Sequence, residues 1–162
     1  MNSNVPTIRQ ISWISILPQL VVMGIFFIIW KLINVSDPFL STLLTYLIIS
    51  VSLRTLIPHD HRKGMSLVKQ EKFAEAVEYF EKSYVFFFQH NWIDKYRFVT
   101  LLSSSRMCYK EMALANIAFC YGQIGDGVRS KEYYERTLKE YPENGIAKAG
   151  LNLLNSAINK KD

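Results

Sequence analysis

The chain has 162 residues, enough for one soluble domain with some additional sequence. It carries 19 Lys and Arg residues against 14 Asp and Glu residues, and 49% of its residues are hydrophobic. From residue 57 onward the two signs of charge are interleaved, and no basic stretch alternates with aromatic residues as in nucleic-acid-binding surfaces. This composition argues against a nucleic-acid partner and leaves an apolar excess in the first third of the chain.

A polar N-terminal tail at residues 1–10 precedes the first apolar segment, ISWISILPQLVVMGIFFIIW. About 20 uncharged residues in a helix suffice to cross the hydrocarbon core of a bilayer. Trp13 and Trp30 would lie roughly 25 Å apart along that helix, with one indole near each interface. A cleaved signal peptide fits less well, because the apolar run is too long and the preceding residues are barely charged. We predict a membrane-spanning helix over about residues 11–31.

A second uncharged segment follows a short turn. Asp37 is suited to cap a helix, and Pro38 is suited to its first position. Residues 38–53 are short for a span, but the segment reaches about residue 57 if the Arg54 side chain extends toward the headgroups. A buried helix of a soluble protein is the alternative. Two such segments in succession favour a transmembrane helical hairpin over residues 11–57.

The distribution of basic residues predicts an orientation. Arg54, Arg62 and Lys63 follow the second segment closely, whereas the loop between the segments contains Lys31 alone. Basic residues stay preferentially on the cytoplasmic side of a membrane. We therefore expect an integral, multi-pass protein of a bacterial cytoplasmic membrane, with both termini and residues 58–162 in the cytoplasm. The lack of extended linkers is the feature that favours a prokaryotic source.

Residues 58–162 show the periodicity of packed helices. A first hairpin contains Gly64 in its first helix and Ala76 in its second, with Phe80 four residues after Ala76 and Ser83 three after that. Small residues at Gly64 and Ala76 let two helix axes approach, and Phe80 fills the gap.

A second hairpin has the sequence EMALANIAFCYGQIGDGVRSKEYYERTLKEYPEN, with a turn at residues 125–127. Four apolar or small residues of its first helix stand at positions i, i+3, i+4 and i+7, which places them on one face. They are Leu114, Ile117, Ala118 and Tyr121. Its second helix presents Ser130, Tyr134, Thr137 and Leu138 on the inner face. Pro142 cannot continue the helix and ends it.

These two segments, at about residues 57–90 and 111–144, resemble tetratricopeptide (TPR) repeats, which are helix-turn-helix units of 34 residues. They depart from the TPR pattern at Lys63, where Leu is usual, and at Gly127, where a large aromatic residue is usual. The resemblance implies an all-α fold: two transmembrane helices, then a small TPR-like array of helical hairpins with a C-terminal capping helix. The repeat-packing residues would be Gly64, Ala76, Phe80, Ala118, Tyr121, Tyr134 and Pro142.

Two further helical segments complete the prediction. Residues 145–159 form a capping helix whose apolar stripe is Ala147, Leu151, Leu154 and Ile158. Residues 91–110 form a helical insert between the repeats, in which Asn91 is a candidate cap for a short helix and residues 103–105, all serine, for the next. The aromatic residues between positions 84 and 98 are either additional core or a contact with a partner or the membrane surface, and both alternatives stay open.

No catalytic motif or phosphate-binding loop is present, so we predict neither an enzyme nor a cofactor. The cysteines, Cys108 and Cys120, belong to no ligand motif. The densest set of potential metal ligands in the sequence is His59, Asp60 and His61, and their spacing matches no known zinc arrangement. No metal site is therefore predicted.

In TPR proteins the first helices of successive repeats line a groove that binds peptides or helices. The resemblance places the following side chains in such a groove: His61, Met65, Val68, Lys69, Met112, Ala115, Phe119 and Gln123. This mostly apolar set suits an amphipathic helix of a protein partner. We predict a membrane-anchored adaptor or scaffold that acts by protein–protein interaction. The alternative is a structural subunit of a larger membrane complex, or a homo-oligomer, packed through its transmembrane helices.

Overall fold

The computed structural model describes residues 12–158, with side chains from 12 to 156. This range is all-helical and contains no strand, which confirms the predicted class for these residues. The predicted tail at residues 1–10, residue 11 of the first predicted span, the Ile158 side chain and residue 159 of the predicted capping helix lie outside what the structure describes.

A short 3-10 helix, Trp13–Ser15, leads into nine α-helices within residues 12–158. They are α1 (Ile16–Leu32), α2 (Pro38–Leu56), α3 (His59–Lys69), α4 (Phe73–Gln89), α5 (Asn91–Lys95), α6 (Arg97–Thr100), α7 (Tyr109–Ile124), α8 (Gly127–Glu140) and α9 (Gly145–Ile158).

Helices α1 and α2 pack side by side as a hairpin. The Asp37 carboxylate caps α2 by accepting hydrogen bonds from the backbone N–H groups of Phe39 (3.1 Å) and Leu40 (3.0 Å), and Pro38 occupies the first helical position. Between the two helices, the Trp30 indole N–H donates a hydrogen bond to the Thr45 hydroxyl at 3.2 Å.

Two helical segments are long and apolar enough to cross a membrane: Trp13–Leu32, which is the 3-10 helix followed by α1, and Pro38–Leu56, which is α2. In the most apolar 18-residue window of each segment, only 6% of the residues in the first and 11% of those in the second are buried within the molecule. A core helix of a soluble protein would bury most of its large apolar side chains. The exposure therefore disagrees with the alternative of two buried soluble helices.

The α3–α4 hairpin depends on one close approach. A Cβ atom added at Gly64 would lie 2.8 Å from a ring carbon of Phe80, so the ring occupies the space that any other side chain would need. Phe80 and Ala76 are both fully buried. They belong to a core cluster that continues into Ile117 and Cys120 of α7.

The α7–α8 turn has the expected chemistry. Gly125 ends α7 with φ of 91°, a left-handed conformation that glycine adopts without steric cost. The Asp126 side chain then accepts a hydrogen bond from the backbone N–H of Arg129 at 3.0 Å and caps α8. The Ser130 hydroxyl donates to the Ala118 carbonyl at 2.8 Å, so the small residues lie where the helix axes approach.

The same pattern of burial occurs in both hairpins. The small and aromatic residues that fill the first hairpin are Gly64, Ala76, Phe80 and Ser83, and all are buried. The corresponding buried residues of the second hairpin, each 54 positions later, are Ala118, Ser130, Tyr134 and Thr137. Tyr121 is half-buried and stacks on Tyr133 with ring centroids 5.6 Å apart, and Pro142 lies just beyond the end of α8.

Each long helix of the C-terminal part packs against the next. Helix α3 contacts α4, α4 contacts α7, α7 contacts α8, and α8 contacts α9. The first helices of the hairpins also touch, α3 with α7 and α7 with α9. The short helices α5 and α6 lie between α4 and α7 in sequence without separating them in space.

The buried contact at Ala76 yields a stability prediction. The variant Ala76→Arg places a long charged side chain in a fully buried position, and we expect it to lower the free energy of unfolding by at least about 3 kcal/mol. Ala74, on the exposed side of the same helix, provides the matched control: Ala74→Arg should change stability by no more than about 0.5 kcal/mol. Thermal unfolding of the full chain in detergent, followed by circular dichroism, measures both. Equal melting curves for the two variants would contradict the packing described above.

Candidate functional site

The side chains predicted to line a groove differ widely in exposure. Val68 and Ala115 are buried, with 2% and 1% of their surface exposed, so neither offers surface to a partner in this structure. Val68 belongs to the core cluster shared with α7, because α3 and α7 lie directly against each other. The half-buried or exposed members are Met65, Lys69, Met112, Phe119 and Gln123.

Contacts between neighbouring helices hold two of these side chains. The Met65 sulfur accepts a hydrogen bond from the Asn116 side-chain amide at 3.5 Å, which joins α3 to α7. The Phe119 ring meets the Phe73 ring edge-on, with centroids 6.1 Å apart. Helices α3 to α9 are called the helical array below. These contacts fix the positions of Met65 and Phe119 on the surface of the helical array.

Phe119 and Gln123 line an apolar cleft of about 330 Å³ between α7, α8 and α9. The other side chains and backbone around the cleft are Gly122, Ser130, Tyr134, Ile146, Ala149, Gly150, Leu153 and Leu154. Most of this lining is aliphatic or aromatic, and Leu153 is 71% exposed. Pockets of mostly apolar lining with few polar groups are the usual form of ligand and peptide sites.

The sequence prediction assigned α9 only a capping role, whereas in the structure it forms one wall of this cleft. Gly150 makes that possible: a Cβ atom there would lie 2.4 Å from the Tyr134 ring. The Tyr134 ring therefore packs against the backbone of α9 at Gly150. The sequence signal was a glycine within a predicted helix, three residues after the buried Ala147.

A second notable region joins the apolar hairpin to the helical array. The guanidinium group of Arg54, near the end of α2, donates hydrogen bonds to the carbonyl oxygens of Leu101 (3.4 Å) and Leu102. The Gln19 side-chain amide of α1 donates to the same Leu102 carbonyl at 3.2 Å. The expectation that Arg54 extends toward lipid headgroups is thus replaced by a contact within the protein. We call Arg54, Gln19, Leu101 and Leu102 the junction.

The insert is held to α7 by a buried carboxylate. Asp94 is 1% exposed, and its two oxygens accept hydrogen bonds from the backbone N–H groups of Tyr109 (2.7 Å) and Lys110 (3.0 Å). The prediction that the serines at residues 103–105 cap this helix is wrong, because an acidic residue fifteen positions upstream of Tyr109 does so. Asn91 is also not a cap: it is the first residue of α5, and its side chain accepts a hydrogen bond from Lys110 Nζ at 2.6 Å.

His61 lies in the core rather than at a groove. It is 6% exposed, and its ring meets those of Phe80 and Tyr109 edge-on, with centroids 5.3 Å away in each case. The Ser83 hydroxyl lies 3.4 Å from its Nδ1 atom and can donate to the neutral ring. Burial lowers the pKa of His61 to about 4, so the imidazole is uncharged at neutral pH.

Neither a metal-ligand cluster nor a comparison with known proteins adds a function. Within the described residues 12–158, no group of three or more His, Cys, Asp or Glu side chains is arranged to hold a metal ion. Neither a scan against protein-family models nor searches of curated proteins and of solved structures find a match to the chain.

The Asp94 cap yields a second prediction. Asp94→Ala leaves two N–H groups of α7 without their acceptor in a buried position, and we expect a loss of about 2–3 kcal/mol in the free energy of unfolding. The control Asp126→Ala removes a more exposed cap of α8 and should cost about 1 kcal/mol. Denaturant unfolding of the full chain in detergent provides the comparison. A loss at Asp94 no greater than that at Asp126 would refute the structural role assigned to this carboxylate.

The burial of His61 predicts a dependence of stability on pH. Because the folded pKa lies below the unfolded value of 6.5, the unfolded state binds more protons between about pH 6.5 and 4. The contribution of His61 is complete above pH 6.5 and is lost as the pH falls toward 4, by up to about 3 kcal/mol.

Melting temperatures of the full chain between pH 7.5 and 4 test this prediction. The variant His61→Gln cannot titrate, so its melting temperature should fall less steeply on acidification than that of the wild type. The exposed neighbour gives the control, because His59→Gln should retain the wild-type slope. Identical slopes in all three proteins would show that His61 is not buried in its neutral form.

Proposed function

We propose that this protein is a membrane-anchored adaptor in which α1 and α2 cross the bilayer and a TPR-like array binds a protein partner. The observation that carries the proposal is the apolar cleft between α7, α8 and α9, on an array attached to two exposed apolar helices. Its chemistry suits an amphipathic helix, whose apolar face would enter the cleft while its polar face stays in water.

The repeated burial pattern supports a TPR-like arrangement. Each hairpin buries a small residue on its first helix, a small residue on its second, an aromatic residue four positions later and a small polar residue three beyond that. The first helices α3, α7 and α9 contact one another in a row. In such an arrangement a groove runs along the first helices, and we assign the cleft at Phe119 and Gln123 to this groove.

In the orientation that we propose for the anchor, the start of α1 and the end of α2, which meet at the junction, lie on the cytoplasmic side of the membrane. Arg54, Arg62 and Lys63 lie at or just beyond the end of α2, and the connection between α1 and α2 has no basic residue after Lys31. The positive-inside rule then puts the array on the cytoplasmic side, in a bacterial cell the inner face of the cytoplasmic membrane.

Site-specific photo-crosslinking in intact cells tests the cleft. A crosslinking amino acid at Gln123, an exposed position that lines the cleft, should give one discrete adduct with another protein. The same amino acid at Glu135, exposed on α8 and outside the cleft lining, should give none. Adding Leu153→Asp should abolish the adduct, because it places a charge in the cleft, whereas Val128→Asp, also at an exposed position, should not.

The size of the adduct separates the two functional classes. An adduct with twice the mass of the chain would favour the alternative, a homo-oligomer or structural subunit in which the cleft is filled by a second copy. Equal crosslinking from Gln123 and Glu135, or an adduct insensitive to Leu153→Asp, would show that the cleft is not the binding site.

A further inference from the structure

The helical array has one end that adjoins the apolar hairpin, here called the proximal end. Helix α3 starts at His59, directly after α2 ends at Leu56, so the N-terminus of α3 is proximal. Phe87, near the C-terminus of α4, stacks on Tyr109 at the start of α7 with ring centroids 4.6 Å apart. Ile57 packs against the cluster of Phe87, Ile93 and Leu101. Helices α5 and α6 therefore lie at the proximal end.

Contacts with both apolar helices fix the position of this insert along the axis of the α1–α2 hairpin. Helix α6 contacts α1, and the junction hydrogen bonds run from Arg54 and Gln19 to the segment that follows α6. The Ser12 backbone N–H also donates to the Ser104 carbonyl at 2.9 Å. These donors come from the start of α1 and the end of α2, which lie on the same side of the hairpin.

The insert leaves large aromatic and apolar side chains uncovered. Trp92 in α5 is 60% exposed, Tyr96 at the break between α5 and α6 is 56% exposed, and Val99 in α6 is 52% exposed. Phe88, near the end of α4, is 64% exposed. Of the other aromatic residues of the run, Phe87 is buried, whereas Tyr84, Phe86 and Phe98 are half-buried. Both roles considered from the sequence, core and surface contact, therefore occur in this region, but for different side chains.

The exposed charged side chains that belong to this segment are basic, although Arg106 also faces Glu111, Glu140 and Glu143. Residues 90–110 contain one acidic residue, Asp94, which is buried as the cap of α7. The basic residues of the same segment are Lys95, Arg97, Arg106 and Lys110, none of which is buried. Trp and Tyr concentrate at the membrane–water interface, and basic residues are attracted to anionic headgroups.

We propose that α5 and α6 form a third membrane contact, a segment that lies in the headgroup layer with Trp92, Tyr96 and Val99 toward the lipid. This inference rests on the proposed anchoring, because α1 and α2 must cross the bilayer for the proximal end to meet its surface. The occupant is the anionic headgroup layer of the same bilayer. Such a contact would hold the array at a fixed angle to the membrane instead of on a free tether.

Tryptophan fluorescence of the full chain in vesicles of phosphatidylcholine and phosphatidylglycerol tests the inference. Combining Trp13→Phe with Trp30→Phe leaves Trp92 as the single tryptophan. We expect its emission to shift to shorter wavelength on reconstitution, with quenching by a nitroxide on the lipid headgroup. Quenching by aqueous iodide should be several-fold weaker than for a control that lacks all three tryptophans and carries Val128→Trp, at a position on α8 that is 81% exposed.

A parallel variant separates this inference from the anchoring on which it rests. Trp13→Phe with Trp92→Phe leaves Trp30, which is expected near an interface and should therefore be quenched by lipids brominated on the acyl chain close to the glycerol backbone. If Trp30 is quenched in this way while Trp92 remains accessible to iodide, the membrane contact is disproved and the anchor stands. If Trp30 is not quenched, the anchoring itself fails. If Trp92 is shielded from both iodide and the headgroup nitroxide, the surface contacts protein and the inference is overturned.

Trp30→Phe removes the hydrogen bond to Thr45. If circular dichroism shows that this variant loses helix, the wild-type chain labelled with fluorotryptophan replaces it. The fluorine resonance of Trp92 is then assigned by its absence from Trp92→Phe. Broadening of that resonance by the headgroup nitroxide, and not by a soluble paramagnetic chelate, supports the membrane contact, and the reverse result overturns it.

Discussion

The attachment of the α1–α2 hairpin to the helical array depends on two backbone carbonyl groups, those of the buried residues Leu101 and Leu102. A buried carbonyl without a donor costs about 1–3 kcal/mol, so this bend in the chain needs donors from elsewhere. Arg54 of α2 and Gln19 of α1 supply them. Leu102 also adopts a positive φ of 47°, an uncommon conformation that the surrounding contacts must hold. The apolar hairpin and the helical array are thereby joined through backbone groups of the insert.

This joint separates two surfaces of different chemistry. The exposed Trp92 and Tyr96 lie at the proximal end with basic neighbours, close to the ends of the apolar helices. The cleft is formed near the C-terminus of α7, and this helix of 16 residues is about 24 Å long. In the proposed orientation the cleft therefore faces away from the bilayer, where a soluble partner helix can reach it, while the insert faces the headgroups.

Much of the fold could be predicted because its determinants are local. The Asp37 cap, the turn at Gly125 and the apolar stripes are set by residues within a few positions of one another. The site was predicted less well. The resemblance to TPR repeats places Val68 and Ala115 at groove positions, but both side chains are buried. Gly150 and the α9 wall of the cleft escaped prediction, because their partner is Tyr134 on another helix.

The order of residues was sufficient to predict the all-helical class of residues 12–158, the two long apolar segments, and two hairpins with matching patterns of small and aromatic residues. Period, capping and composition act over one or two helical turns, so they can be read directly from the order of residues. The Asp94 cap of α7 and the hydrogen bonds from Arg54 to the carbonyls of the insert follow from the packing of the helices and could not be predicted from a local pattern. Each of these contacts pairs a polar side chain with backbone groups that lack a partner at a helix start or a bend elsewhere in the chain. Which donor meets which acceptor depends on how the helices pack, since burial makes an unmatched group costly.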